Sequence, residues 1–229
     1  MRTVIFDLDG TLADTSGDLI AAANHCFDQM GFEARLDPTT DAGTALRGGR
    51  AMLTLGLERA GQYSADMVDQ YYPVLLSAYG DAIDTHTVLY PGAMDAVEAL
   101  KSNGMAVGIC TNKPEGLAET LMARLGVRDA FGSLIGADTL STRKPDAAPY
   151  IAAVERAGGV VTQSCLIGDT VTDRDTARAA GVACVLVGFG PAGGDMAALM
   201  PEALLERYSD LPDLVEQLLG KVLQLEQQL

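Results

Sequence analysis

Residues 4–15 read VIFDLDGTLADT. An apolar run, Val4-Ile5-Phe6, ends in two carboxylates, Asp7 and Asp9, with only Leu8 between them. Side chains of an extended chain alternate faces, so positions 7 and 9 project to the same side. Two like charges placed this way repel, and one is driven toward its protonated form unless a cation or a chemical task holds the pair together. A helix cap or a turn after a strand is the purely structural reading, since Asp favours both. The rest of the chain decides between them.

Four later runs resemble TVIF (3–6) in being mostly apolar: MAVGIC (105–110), SLIGA (133–137), SCLIG (164–168) and ACVLV (183–187). Parallel strands buried on both faces have this composition. Helical patterns near 92–103, 114–126, 146–157 and 173–180 separate them, and such alternation predicts an α/β domain with a parallel sheet. Residues 16–85 break the rhythm. SGDLIAAANHCFDQM, AMLTLGLERA and MVDQYYPVLLSAY carry Ala, Leu and Met at helical spacing with no convincing strand. The expected organisation is a core of residues 1–15 and 86–229 with an all-helical cap, 16–85, inserted after the first strand. In the tail, Leu211, Leu218 and Leu225 recur every seven residues, a possible dimer seam. Leu214, Leu219 and Leu223 widen the apolar stripe, which favours a terminal helix packed on its own sheet.

The chain has 229 residues, 48% of them hydrophobic and 21% charged, ample for a packed core and too apolar for disorder. With 16 Lys+Arg against 31 Asp+Glu the net charge is −15, so nucleic acid and anionic membrane are excluded as natural partners. Cys26, Cys110, Cys165 and Cys184 are scattered without a CxxC pair, which reads as buried free thiols. No signal peptide precedes the first strand and no apolar stretch approaches the roughly 20 residues that cross a bilayer. The expectation is a cytoplasmic protein, monomeric or homodimeric.

In open parallel sheets the carboxyl ends of the strands form the ligand site. MAVGIC ends in Thr111-Asn112-Lys113, SCLIG ends in GDTVTD with Asp169 and Asp173, and Arg143-Lys144 lie between them in TRKPD. Each residue has a use if the site handles a phosphate monoester. Asp7 can attack phosphorus and form an aspartyl-phosphate, while Asp9 protonates the departing alkoxide and later takes a proton from water. Mg2+ prefers oxygen ligands, which Asp7 and Asp169 supply. The Thr111 hydroxyl and neighbouring N–H groups can hold phosphate oxygens, and Lys144 is expected to keep Asp7 ionised. A dication, a lysine and a phosphate would explain why the two acids stay together.

DLDGTLADT, TN, RKP and GDTVTD resemble, in order and over nearly the whole chain, the four motifs of the haloacid dehalogenase superfamily. Within it the sequence is most similar to phosphoglycolate phosphatases. The resemblance implies a Rossmann-like parallel core with a helical cap, and a small phosphorylated metabolite as substrate. It makes Asp7 the nucleophile and Asp9 the acid/base, with the Asp9 main-chain carbonyl on Mg2+. It puts Thr111, Asn112 and Lys144 on phosphate, Asp169 on the metal and Asp173 in its support. The cap departs from the family in offering LRGGRA (46–51) where many relatives carry a glycine-x-glycine loop. Its Arg47 and Arg50 flank two glycines and are candidates for gripping a substrate carboxylate, against a solvated helix face. Asp14 and Asp18 read as hinge and helix-start residues.

Rival readings are weaker. GFGPAG (188–193) fits a dinucleotide-binding pattern, but Pro191 interrupts it and no second strand follows with a ribose-binding acid, so a glycine-rich loop beside the site is expected. His25 and His86 adjoin no nucleophile. A dehalogenase has no need of an acid at position 9. A phosphonate-cleaving relative needs a cap lysine, and none of Lys101, Lys113, Lys144 and Lys221 lies in 16–85. A sugar-phosphate mutase and a non-catalytic binding protein on the same scaffold stay open as alternatives.

Overall fold

The computed structural model describes the backbone of residues 1–190 and 196–226, and side chains within that range up to residue 220. The chain divides into two compact units, Asp14–Val88 and the described remainder on either side of it. In chain order the elements are β1 (Thr3–Phe6), β2 (Ala13–Asp14), α1 (Ser16–Met30), α2 (Ala42–Ala45), α3 (Gly49–Arg59), α4 (Ala65–Asp81) and β3 (Val88–Leu89). They continue with α5 (Ala93–Ser102), β4 (Ala106–Cys110), α6 (Glu115–Arg124), β5 (Ser133–Ile135), α7 (Ala147–Arg156) and β6 (Ser164–Gly168). The last are α8 (Val171–Ala180), β7 (Ala183–Val187), β8 (Ala203–Leu205) and α9 (Leu211–Glu226).

The larger unit is built on a six-stranded sheet of order β5-β4-β1-β6-β7-β8, every pair of neighbours parallel. Strand β1 is central, with Phe6 level with Ile109 of β4 and Ile167 of β6. Val4, Ile5 and Phe6 are fully buried, as are Ile109, Leu166 and Val185, so both faces of the sheet are covered and the strands need no polar alternation. From β1 the chain builds outward through β4 to β5, then returns to β6 on the other side of β1 and builds outward again. Connections leaving β1 and β6 therefore diverge, which opens a space at their carboxyl ends.

Strand β8 is not foreseen by the sequence reading. Its three residues, Ala203-Leu204-Leu205, are too few for periodicity to register, and their place at the sheet edge is decided by pairing with β7. The tail helix α9 buries Leu211, Val215 and Leu219, spaced by four, against its own unit. That spacing follows the helix repeat of 3.6 and leaves Leu218 only partly covered, so the described part of the sevenfold series marks no seam. Leu225 and Leu223 lie beyond the described side chains.

Between Ser16 and Asp81 the smaller unit is helical throughout. Leu19, Ile20, Ala23, Cys26 and Phe27 of α1 form one buried stripe, facing Met52, Leu53 and Leu57 of α3 and Leu75 and Tyr79 of α4. Gly56 permits the close approach: a Cβ there would stand 2.0 Å from the Phe27 ring. Asp18 lies in the first turn of α1, as expected of a helix-start residue, and is almost fully buried. Its carboxylate accepts hydrogen bonds from the His86 and Thr87 N–H groups and from the Thr87 hydroxyl, tying the start of α1 to the end of the unit. Asp14 accepts from the Ser16 N–H and hydroxyl. Both histidines are solvent-exposed. Among the described residues no helix is long and apolar enough to cross a membrane.

Candidate active site

The β1 ladder runs one residue past the strand, where the Asp7 N–H donates to Ile167 O at 2.8 Å. The chain then turns tightly. Thr11, Leu12 and Ala13 N–H groups all point at Leu8 O, and Gly10 takes φ 81°, a left-handed conformation that suits glycine. Leu8 and Leu12 are buried in the core while Asp7 and Asp9 face away from it. Regular strand stops at Phe6, so Asp7 and Asp9 stand in the turn that follows rather than on an extended strand.

Asp7, Thr111, Lys144, Asp169 and Asp173 converge at these strand ends. Lys144 is buried, with its Nζ 3.0 Å from Asp7 Oδ1 and 2.6 Å from Asp173 Oδ1. Candidate ligand oxygens of Asp7, Asp169 and Asp173 all lie within 4.8 Å of one another. Their roles differ. Asp173 closes a capping box at the start of α8: its Oδ2 accepts from the Thr170 hydroxyl at 2.6 Å and from the Thr170 and Asp169 N–H groups, while Oδ1 takes Lys144. Its acceptor capacity is committed to shaping the site. Gly168 makes room for it, because a Cβ there would sit 2.4 Å from the Asp173 side chain. Asp169 Oδ1 accepts from the Thr11 hydroxyl at 3.1 Å, but its buried Oδ2 has no hydrogen-bond partner, and neither has Asp7 Oδ1. Asp169 Oδ2, without a hydrogen bond, and Asp7, whose Oδ1 is ion-paired with Lys144 but not hydrogen-bonded, offer hard oxygen donors that fit a divalent cation.

Electrostatics set burial against the charge of Lys144. Burial outweighs Lys144 at Asp7, and Asp173 and Asp9 add repulsion, so its carboxyl is raised from 3.8 to about 6. Lys144 moderates the charge problem without cancelling it. Burial, with Asp173 and Asp7, likewise drives Asp169 well above the usual carboxylate range. Burial pulls Lys144 down, yet Asp173 and Asp7 together overcome it and hold the ammonium above its ordinary value.

Sequence reasoning left three partners out. Lys113, nearly as buried as Lys144, places Nζ 2.7 and 3.0 Å from the two oxygens of Asp9. Its position at a strand end was visible, its pairing was not. Thr11 orients Asp169 from the turn, and Tyr208, 197 residues further on, donates its hydroxyl to Thr11 O at 2.6 Å. No local pattern announces that contact. Asn112 is turned outward, with Nδ2 donating to Lys144 O at 3.0 Å, where it steadies the lysine's loop. The Thr111 hydroxyl accepts from the Lys113 N–H. Arg47 and Arg50 are exposed on the helical unit, where Arg50 pairs with Asp69 and stacks on Tyr72. Of GFGPAG only Gly188, Phe189 and Gly190 are described. Phe189 packs between Tyr90 and Tyr208, and a Cβ on Gly190 would meet Gly10 O at 3.2 Å. Pro191 to Gly193 lie outside the described residues.

A parallel α/β sheet carrying a buried aspartate cluster and a buried lysine at its carboxyl edge is an arrangement that phosphoryl-group chemistry can use. Residues 4–187 match the family model for haloacid dehalogenase-like hydrolases, and the chain belongs to that family. The phosphoglycolate phosphatase of Agrobacterium fabrum is 35% identical over 223 residues, 95% of this chain and 94% of that one. The phosphoglycolate phosphatase of Rhodospirillum rubrum is 34% identical over 93% of this chain and 90% of its own. A crystal structure of a predicted phosphoglycolate phosphatase from Haemophilus somnus superposes with a TM-score of 0.82 at 22% identity, covering 93% of this chain and 97% of that one.

Proposed function

We propose that this protein is a Mg2+-dependent phosphatase that hydrolyses a small phosphate monoester, 2-phosphoglycolate, through an aspartyl-phosphate on Asp7. The observation that carries this reading is the buried Asp7 Oδ1, close to Lys144 yet without a hydrogen bond, beside the unpartnered Asp169 Oδ2. Similarity to phosphoglycolate phosphatases over nearly the full chain supports the substrate.

An Asp7 carboxylate oxygen forms a bond to phosphorus as the ester oxygen leaves, and Asp9 gives that oxygen its proton. Asp9 then removes a proton from water, which attacks the acyl phosphate and releases inorganic phosphate and the free Asp7 carboxylate. Thr111 and Lys144 hold the phosphoryl oxygens, where charge is greatest. Asp7 and Asp169, with the Asp9 main-chain carbonyl, would hold Mg2+, which would supply charge neutralisation at the phosphoryl group. Asp173 keeps Lys144 and α8 in place. The helical unit, drawn at residues 16–85, is read as the cap that recognises the leaving group. The four cysteines are free and buried, which suits a reducing cytoplasm. The test is phosphate release from 2-phosphoglycolate with Mg2+ by the wild type and by Asp7→Asn. Turnover should fall by several orders of magnitude with folding intact, and a near-normal rate in the variant overturns the mechanism.

A further inference from the structure

Among the described residues the buried cations are Lys113 and Lys144. Lys144 is committed to Asp7 and Asp173. Lys113 instead stands against both oxygens of Asp9, the residue read above as the proton donor to the leaving oxygen. A general acid must lie within about 2.6–3.2 Å of the atom it protonates, so the ester oxygen arrives next to the Lys113 ammonium as well. A carboxylate one methylene away from that oxygen lies only roughly 3 Å further along the chain. As Asp9 gives up its proton it becomes a carboxylate, and the substrate's carboxylate would then stand against a like charge in a poorly solvated place. Lys113 is the cation at that spot, and an ammonium, a compact charge with three rotatable donors, can bridge two carboxylates.

We propose that Lys113 determines specificity by accepting a leaving group that carries a carboxylate beside the ester oxygen, the class to which 2-phosphoglycolate belongs. The inference rests on the phosphatase reading and assigns the substrate's charge to the core unit rather than to Arg47 or Arg50, of which Arg50 already pairs with Asp69 and Tyr72.

The experiment compares kcat/KM for 2-phosphoglycolate with that for ethyl phosphate, a neutral leaving group of similar size that also needs a proton. It uses wild type, Lys113→Gln and Lys113→Arg with saturating Mg2+. Lys113→Gln keeps a donor toward Asp9 and removes the charge. It should lower the 2-phosphoglycolate to ethyl phosphate ratio by about ten- to a hundredfold, the loss of one charged hydrogen bond. Lys113→Arg should retain most of the ratio. A Lys113→Met protein, checked by thermal melting, should repeat the Lys113→Gln result. Equal losses on both esters would mean that Lys113 serves only Asp9, and this inference falls while the phosphatase reading stands. An unchanged ratio overturns it in the same way. Wild type without Asp7-dependent turnover of either ester would overturn both.

Discussion

The Lys144 ammonium lies 2.6 Å from Asp173 Oδ1, both side chains sealed from solvent, and Asp173 is at the same time the third residue of α8, closing the capping box with Thr170. One carboxylate thus fixes a helix start and holds the cation that faces Asp7. Removing Lys144 would leave Asp7 and Asp173 buried and uncompensated, which for a broken internal pair costs on the order of 3–5 kcal/mol. Lys144→Met should lower the urea midpoint accordingly and abolish phosphatase turnover. Lys144→Met/Asp173→Asn should lose less stability than the sum of the single changes, since the partners are coupled. Additive losses would show that the pair is energetically idle.

Asp7 gives the metal-free protein a pH dependence whose sign follows from its raised carboxyl. In the folded state it binds its proton up to about pH 6, whereas the unfolded chain releases it near 3.8. The contribution of Asp7 to stability is full below about pH 4 and is lost as pH rises through 6, by roughly 3 kcal/mol at most. Asp169, also raised, acts in the same direction. Denaturant unfolding in chelator from pH 4 to 7.5 should show this decline, flattened in Asp7→Asn. A wild-type stability that climbs over that interval contradicts the assignment.

Divalent metal should reverse that loss. Mg2+ at a hundredfold excess over its Kd should stabilise the fold by about 2.7 kcal/mol, with less effect at pH 5, where protons compete for the same oxygens. Asp169→Ala should erase the shift in melting temperature that Mg2+ produces. A shift of equal size in that variant would locate the cation elsewhere.

Gly168→Ala tests the packing beneath the site. The added methyl would meet Asp173 at 2.4 Å, so Asp173 or β6 must move. Overpacking of this kind costs about 1–3 kcal/mol. Activity should fall with the displaced Asp173 and Lys144, and a variant with wild-type rate and melting temperature would show that the contact is slack.

The order of elements was legible in the sequence because it depends on local composition. Apolar runs bounded by polar turns mark β1, β4, β5, β6 and β7, and helical spacing marks α1, α3 and α4. The motif aspartates, Thr111 and Lys144 were legible too, since each follows a strand and strand ends share one edge of a parallel sheet. Tertiary structure decided everything that depends on which distant groups meet. β8 is a strand only because β7 offers it an edge. Asp173 is drawn into the capping box and Lys144, so both its oxygens are engaged, while Asp7 and Asp169 each keep one buried oxygen without a hydrogen bond. Asp7 titrates high because burial, a property of the packed chain, outweighs the nearby charge that sequence alone suggested. Lys113 finds Asp9, and Tyr208 finds Thr11, across segments far apart in sequence, which leave no trace in local periodicity.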